Sequence, residues 1–339
     1  MKRTIVQPEG LDFETPGRRD YFVCFTHPTL WGSHLVPVTV LVGKEAKPGR
    51  GVLAIGSTHG NEYEGPVAIK HLVHALKAED VLGRMILVPV LNIVAFEAGA
   101  RETPSDGVNM NRAFPGDAKG SITFRIADFV DRFLFRQVHV VLDIHSGGKV
   151  CLLPHTTAIH KVKDPEQRRQ MEEACRDFGT KFTFLYGHHT GGLLIGRAEE
   201  LGKITVGTEL GWGESVNATG VAMASQGILT AAVRQRQMKG DLPKNAFHPR
   251  GDQILVDTED PASTLLAPFH GHFEPSLPVG ESVRKGQLLG YVHDFNRIDE
   301  PPFELVAPHD GYYITQPWLS KVFPGQFVAQ VGRRVEWAG

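Results

Sequence analysis

The segment His59-Gly60-Asn61-Glu62 puts an imidazole and a carboxylate three positions apart, on a turn that follows a short apolar run. Two such donors can converge on one ion, and zinc accepts both imidazole nitrogen and carboxylate oxygen. A catalytic zinc site keeps three protein ligands and one open position for water, so a third ligand has to come from a distant strand end. His145, in Asp143-Ile144-His145-Ser146-Gly147, fits that need. The expectation is one zinc ion per chain, held by His59, Glu62 and His145. Asp143 lies two residues before His145, so in a strand both side chains point to one face. It is suited to accept the second imidazole N–H and fix the tautomer; the other reading is a solvated or salt-bridged acid at a strand end.

Further acids and bases sit at comparable places. Glu209 ends the apolar run Ile204-Thr205-Val206-Gly207-Thr208. A carboxylate at such a terminus should be partly desolvated, and could take a proton from water and return it to a leaving amine. An ion pair with a nearby cation is its plainer role, and Glu214, five residues on in a glycine-rich loop, competes for the same task. The loop Asn109-Met110-Asn111-Arg112-Ala113-Phe114-Pro115-Gly116 supplies an amide and a guanidinium side by side. The planar fork of Arg112 matches a carboxylate, with Asn111 beside it. Arg101 could stabilise the oxyanion formed when water adds to an amide carbonyl. Arg112 as a loop clamp and Arg101 as a surface charge remain open. His188 and His189 read as pocket-mouth or solvated loop histidines, Trp212 as a pocket wall or core residue, and Cys151 as a strand thiol rather than a nucleophile.

These residues need a scaffold that brings strand ends together. Apolar runs at 35–43, 51–57, 84–96, 138–148 and 203–211 read as strands, and helical spacing appears at 67–78, 122–138, about 164–178 and about 220–236. The stretch 186–196 reads as a polar glycine-rich loop. Strands alternating with helices imply an α/β fold, a mainly parallel or mixed sheet with helices on both faces. Ligands of such sheets sit outside the carboxyl ends of the strands, which is where His59, His145 and Glu209 fall.

After about residue 240 helix signals stop. Residues 265–292 and 304–332 share one pattern: Ala-Pro, a turn, Gly, a polar strand, Val, Gly-Gln and a closing apolar strand. Such a repeat implies two copies of one small β unit packed together, and it resembles the lipoyl/biotinyl-type barrel-sandwich. The linking segment 293–303 holds no lysine, so a carrier role is not expected. The chain is therefore divided into a catalytic domain, 1–240, and a β barrel-sandwich domain, 241–339, capping the cleft.

With 36 Lys+Arg against 38 Asp+Glu, and no basic excess, nucleic acid is not the expected partner. Three cysteines without paired spacing give no disulfide framework and suit a reducing cytoplasm. No apolar stretch follows the first charged residues and no run of about 18 apolar residues exists, so neither a signal peptide nor a membrane span is expected.

Taken together, HGNE, the NMNRAFPG loop, DIHSG and the later strand glutamate resemble the succinylglutamate desuccinylase/aspartoacylase family, relatives of the zinc carboxypeptidases. The resemblance implies a zinc hydrolase acting on a small N-acyl amino acid. It makes His59, Glu62 and His145 the zinc ligands, Glu209 the general base and acid, and Arg101 the carbonyl-polarising arginine. Asn111 and Arg112 become the pair that binds the substrate carboxylate. Within the family, HGNEYEGPVAI, TPSDGVNMNRAFPG and GTELGWGESVNATGV look most like the branch that deacetylates N-alpha-acetyl-diaminobutyrate. The alternatives are a zinc carboxypeptidase acting on peptides and a non-enzymatic adaptor built on the lipoyl-like unit. The oligomeric state, which could be a homo-oligomer, is left open.

Overall fold

A computed structural model of the chain describes residues 4–27, 31–187, 191–244 and 246–338. Strands β1 (Thr4–Val6), β2 (Gly17–Thr26), β3 (Ser33–Val42) and β4 (Val52–Gly56) lead into helix α1 (Glu64–Ala75) and strand β5 (Arg84–Val88). Helices α2 (Ile93–Ala98) and α3 (Ile122–Phe129) precede β6 (Val140–His145), the short β7 (Cys151–Leu152) and β8 (Thr156–His160). Then come α4 (Pro165–Phe178), β9 (Phe182–Tyr186), α5 (Leu194–Glu200), β10 (Ile204–Glu209) and α6 (Ala218–Arg234).

The sheet order is β1-β2-β3-β5-β4-β6-β10-β8-β9, extended by β11 (Ile254–Asp257). It is mixed: the central β5-β4-β6-β10 pairs are parallel, whereas β3 with β5 and β8 with β10 are antiparallel. Successive side chains of a strand point to opposite faces, and the two cores divide along that line. Leu53, Ile55 and Val141 pack with Ile126, Phe129, Leu194 and Ala198 of α3 and α5. Val52, Ala54, Val140, Leu142 and Ile144 pack with Ile69, Met171 and Ile228 of α1, α4 and α6. Asp143 and His145 share the alternation of Val141, so they point to the α3/α5 side.

Several boundaries depart from the sequence expectation. The apolar run 84–96 is a strand only to Val88 and becomes α2, where the Asn92 side chain accepts from Ala95 N at 3.3 Å and caps the helix. Apolar periodicity in so short a run does not separate a buried strand from a helix. The helix expected over 122–138 keeps α form only to Phe129, then continues as a π turn and a 3-10 turn. Part of the expected loop 186–196 is helical, since α5 starts at Leu194. His188 and His189 lie outside the described residues.

Beyond α6, the remaining strands are β12 (Thr264–Leu266), β13 (Gly271–Pro275), β14 (Ser282–Val283), β15 (Leu288–His293), β16 (Phe303–Val306), β17 (Gly311–Pro317), β18 (Lys321–Val322) and β19 (Phe327–Val335). The two repeat copies supply β12 to β15 and β16 to β19, and they exchange strands. One sheet runs β16-β15-β13-β18, while β12 and β17 pair with β19 and β14 pairs with β17. Each sheet thus draws two strands from each copy. The β unit joins the rest of the chain through β19 with β11 and through β17 with β7.

Candidate metal centre

Three neighbouring parallel strands end at one place. In the β4-β6-β10 register, Gly56 lies opposite Ile144 and His145 lies opposite Glu209. The His59 loop leaves β4 there. Its glycine is dictated by packing: a Cβ on Gly60 would come within 2.1 Å of the Ala95 backbone in α2.

His59, Glu62 and His145 are buried, and one candidate ligand atom from each lies within 4.8 Å of the others. His59 Nδ1 is 2.8 Å from Glu62 Oε1, and His145 Nδ1 is 2.8 Å from Glu62 Oε2. Both imidazoles thus turn the same nitrogen toward one carboxylate. Ser146 N donates to Glu62 Oε2 at 3.1 Å, and Arg101 Nη1 reaches Glu62 Oε1 at 3.2 Å. His145 Nε2 is 2.8 Å from Asp143 Oδ2, and the other oxygen of Asp143 accepts from Thr58 Oγ1 at 2.6 Å. Asp143 is therefore held by one neighbour while it holds the imidazole.

The electrostatics follow from burial and these contacts. Burial would raise the Glu62 carboxyl, but the His59 and His145 imidazoles pull it well below the usual carboxylate range. Burial would lower His145, but Asp143 and then Glu62 hold it well above an ordinary imidazole. His59 is lowered, burial outweighing its contact with Glu62.

Glu209 is the opposite case. Its Oε2 is sealed from solvent and has no hydrogen-bond partner. Burial first, and the Glu62 charge second, push its carboxyl up to about 8. Glu214 behaves differently: hydrogen bonds from Asn61 and Lys149 outweigh burial and lower its pKa. The Cys151 thiol is pushed up by burial and by the charges of Glu209 and Glu62, which suits an inert thiol rather than a thiolate nucleophile.

The 109–112 loop also closes on the centre. Asn109 Oδ1 lies 3.2 Å from His59 Nε2 and accepts from Asn111 N at 2.9 Å. Residue types and spacing alone give Asn109 no role, although it stands two residues before Asn111 in the same loop. Asn111 Oδ1 accepts from Leu194 N at 2.8 Å, so this amide caps the start of α5. Arg112 is exposed, and its Nη1 donates to Asn111 O at 2.6 Å.

Trp212 lies apart from these groups. It stacks on His155, ring centroids 5.6 Å apart, and lines a cavity of about 760 Å³ between the 152–155 segment and the 275–281 turn of the β unit. The wall of that cavity includes none of His59, Glu62, His145, Glu209, Arg101 or Arg112.

The succinylglutamate desuccinylase/aspartoacylase catalytic domain model matches residues 48–233. N-alpha-acetyl-L-2,4-diaminobutyric acid deacetylase of Halomonas elongata is 35% identical over 335 residues, covering 97% of this chain and 95% of that protein. A succinylglutamate desuccinylase/aspartoacylase from Rhodobacter sphaeroides superposes with a TM-score of 0.89 at 30% identity, over 96% of this chain and 98% of the other. The product-bound ectoine utilization protein EutE (DoeB) from Ruegeria pomeroyi gives 0.87 at 32% identity, with the same coverage.

Proposed function

The chain belongs to the succinylglutamate desuccinylase/aspartoacylase family, and on that premise we propose that it is a zinc-dependent amidohydrolase that removes an acetyl group from a small N-acyl amino acid, N-alpha-acetyl-2,4-diaminobutyrate being the favoured substrate. The observation that carries this reading is the convergence of both Nδ1 atoms on Glu62, with Glu209 in register beside His145. The donor set suits zinc: two imidazole nitrogens and a carboxylate, all buried, with Asp143 orienting one ring from behind.

An ion held by His59, Glu62 and His145 would supply a Lewis acid for the acyl oxygen and acidify a water. The protein groups do the rest. Glu209, poised by burial with an unpartnered oxygen, accepts the proton of the attacking water and passes it to the departing amine. Arg101, already within reach of Glu62, stabilises the charge that builds on the acyl oxygen. Arg112, exposed on the loop with its Nη1 resting on Asn111 O, turns its guanidinium to grip the substrate carboxylate in a bidentate pair. Asn111 contributes by ordering the loop against α5, with its own side chain beside that carboxylate.

In this reading, residues 1–240 form the catalytic domain and 241–339 a barrel-sandwich domain that shapes the cleft and carries no prosthetic group. No helix among the described residues is long and apolar enough to cross a membrane. With three unpaired cysteines, a cytoplasmic enzyme is the reading that fits best.

The deciding experiment is a hydrolysis screen of N-acetyl, N-succinyl and N-formyl amino acids, including both acetyl isomers of diaminobutyrate, on protein of assayed metal content. The alpha-acetyl isomer should be preferred. Faster turnover of a C-terminal peptide bond would favour a carboxypeptidase instead.

A further inference from the structure

Asn61 stands between two of the candidate ligands in sequence, and its side chain is buried. Its Nδ2 donates to Glu214 Oε1 at 2.9 Å, across 153 residues, while its Oδ1 has no partner. Among the described residues that bond is therefore the single side-chain tether of this buried amide. Glu214 sits on the loop that follows β10 and has φ of 53°, a left-handed conformation that non-glycine residues rarely adopt. Such a conformation persists where the surroundings over-determine it.

The surroundings are specific. The loops after β6 and β10 are laced by Leu210 N to His145 O at 3.0 Å, Gly147 N to Gly211 O at 2.8 Å and Gly213 N to Gly148 O at 2.6 Å. Lys149 Nζ reaches Glu214 Oε2 at 2.5 Å. From the β unit, Trp318 packs against Gly213, where a Cβ would come within 2.7 Å of its ring. Both oxygens of Glu214 are thus engaged, which leaves it badly placed to shuttle protons and well placed to hold Asn61.

We propose that Glu214 is a positioning residue for the metal centre: its carboxylate fixes the Asn61 amide, and through it the spacing of His59 and Glu62. The proposal rests on the zinc reading above. The β unit bears on the same loop through Trp318, so the centre is braced from outside the catalytic strands.

The test is zinc affinity of the metal-stripped full-length chain, by chelator competition, with the Tm of each metal-free variant recorded. Groups that orient metal ligands typically change affinity by about 10–100-fold. Glu214→Ala should weaken zinc by that factor, Asn61→Ala should match it, and the double variant should be no weaker than either. Glu214→Gln keeps an oxygen that can accept from Asn61 and should stay within about threefold of the parent. Lys149→Ala should also stay within about threefold, because it removes an exposed lysine and leaves the Asn61–Glu214 bond in place. A purely structural role would lower Tm without moving the affinity of the folded variants. Parent-like affinity in Glu214→Ala, or in Asn61→Ala should the first not fold, overturns the proposal. So does a Glu214→Gln variant as weak as Glu214→Ala. A parent chain that binds no zinc overturns the zinc reading itself, and so is told apart from both.

Discussion

Glu209 and His145 face one another as register partners on adjacent parallel strands, yet their protons are pulled in opposite directions. In the metal-free chain Asp143 and Glu62 hold the His145 imidazole well above its ordinary pKa, and burial, with the Glu62 charge, pushes the Glu209 carboxyl up to about 8.

Replacing His59 or His145 with Ala should abolish stoichiometric zinc in protein that still folds. Asp143→Asn keeps the shape but weakens the hold on His145 Nε2, and should cost about 10–100-fold in affinity. Metal analysis of purified protein and chelator competition check both.

Zinc binding should release protons and weaken in acid. In the metal-free chain His145 has a raised pKa, so below that pKa a proton competes with the ion. Glu62 is lowered and stays ionised throughout. The logarithm of zinc affinity should therefore rise with pH until His145 has lost its proton. Calorimetry in buffers of different ionisation enthalpy would show the released proton; a pH-independent affinity would contradict this ionisation scheme.

Glu209→Gln should retain zinc and lose about 10²–10⁴ in kcat, the range for removing a general base. It should also stabilise the metal-free protein in alkali. The Glu209 carboxyl rises from 4.5 to about 8 on folding, so between those values the folded chain holds a proton that the unfolded chain has released. Stability therefore falls as pH rises through that window, and the neutral amide escapes the loss. A Tm gain on the order of a few degrees at pH 8.5, fading as the pH falls through that window and gone by about pH 4.5, is expected.

Arg112→Lys keeps the charge and loses the fork. From about 1.5–3 kcal/mol for a charged hydrogen bond, kcat/KM should drop roughly 10–100-fold. Amidating the substrate carboxyl should cost the parent a similar factor and the variant little more. An amide turned over as fast as the acid would remove Arg112 from substrate binding.

The positions of His59, Glu62, His145 and Glu209 are legible in the sequence because His145 and Glu209 each end an apolar run, and His59 and Glu62 lie on the polar turn after one, which places all four at strands' carboxyl ends. Asp143 is legible by alternation alone. Asn109 is not, because what distinguishes it from Asn111 is how the loop folds over His59. The start of α2 and of α5 depends on caps, one supplied locally by Asn92 and one by the distant Asn111. The repeat after residue 260 can be read by eye, but the exchange of strands between its copies is a tertiary fact.

The most direct measurement is a metal titration of activity. Protein stripped of metal and reloaded with zinc is assayed for acetate release from N-alpha-acetyl-diaminobutyrate. Activity should be absent at the start, rise linearly and break at one equivalent per chain. Full activity in the stripped protein, or no hydrolysis of any N-acyl amino acid at one equivalent, would contradict the account.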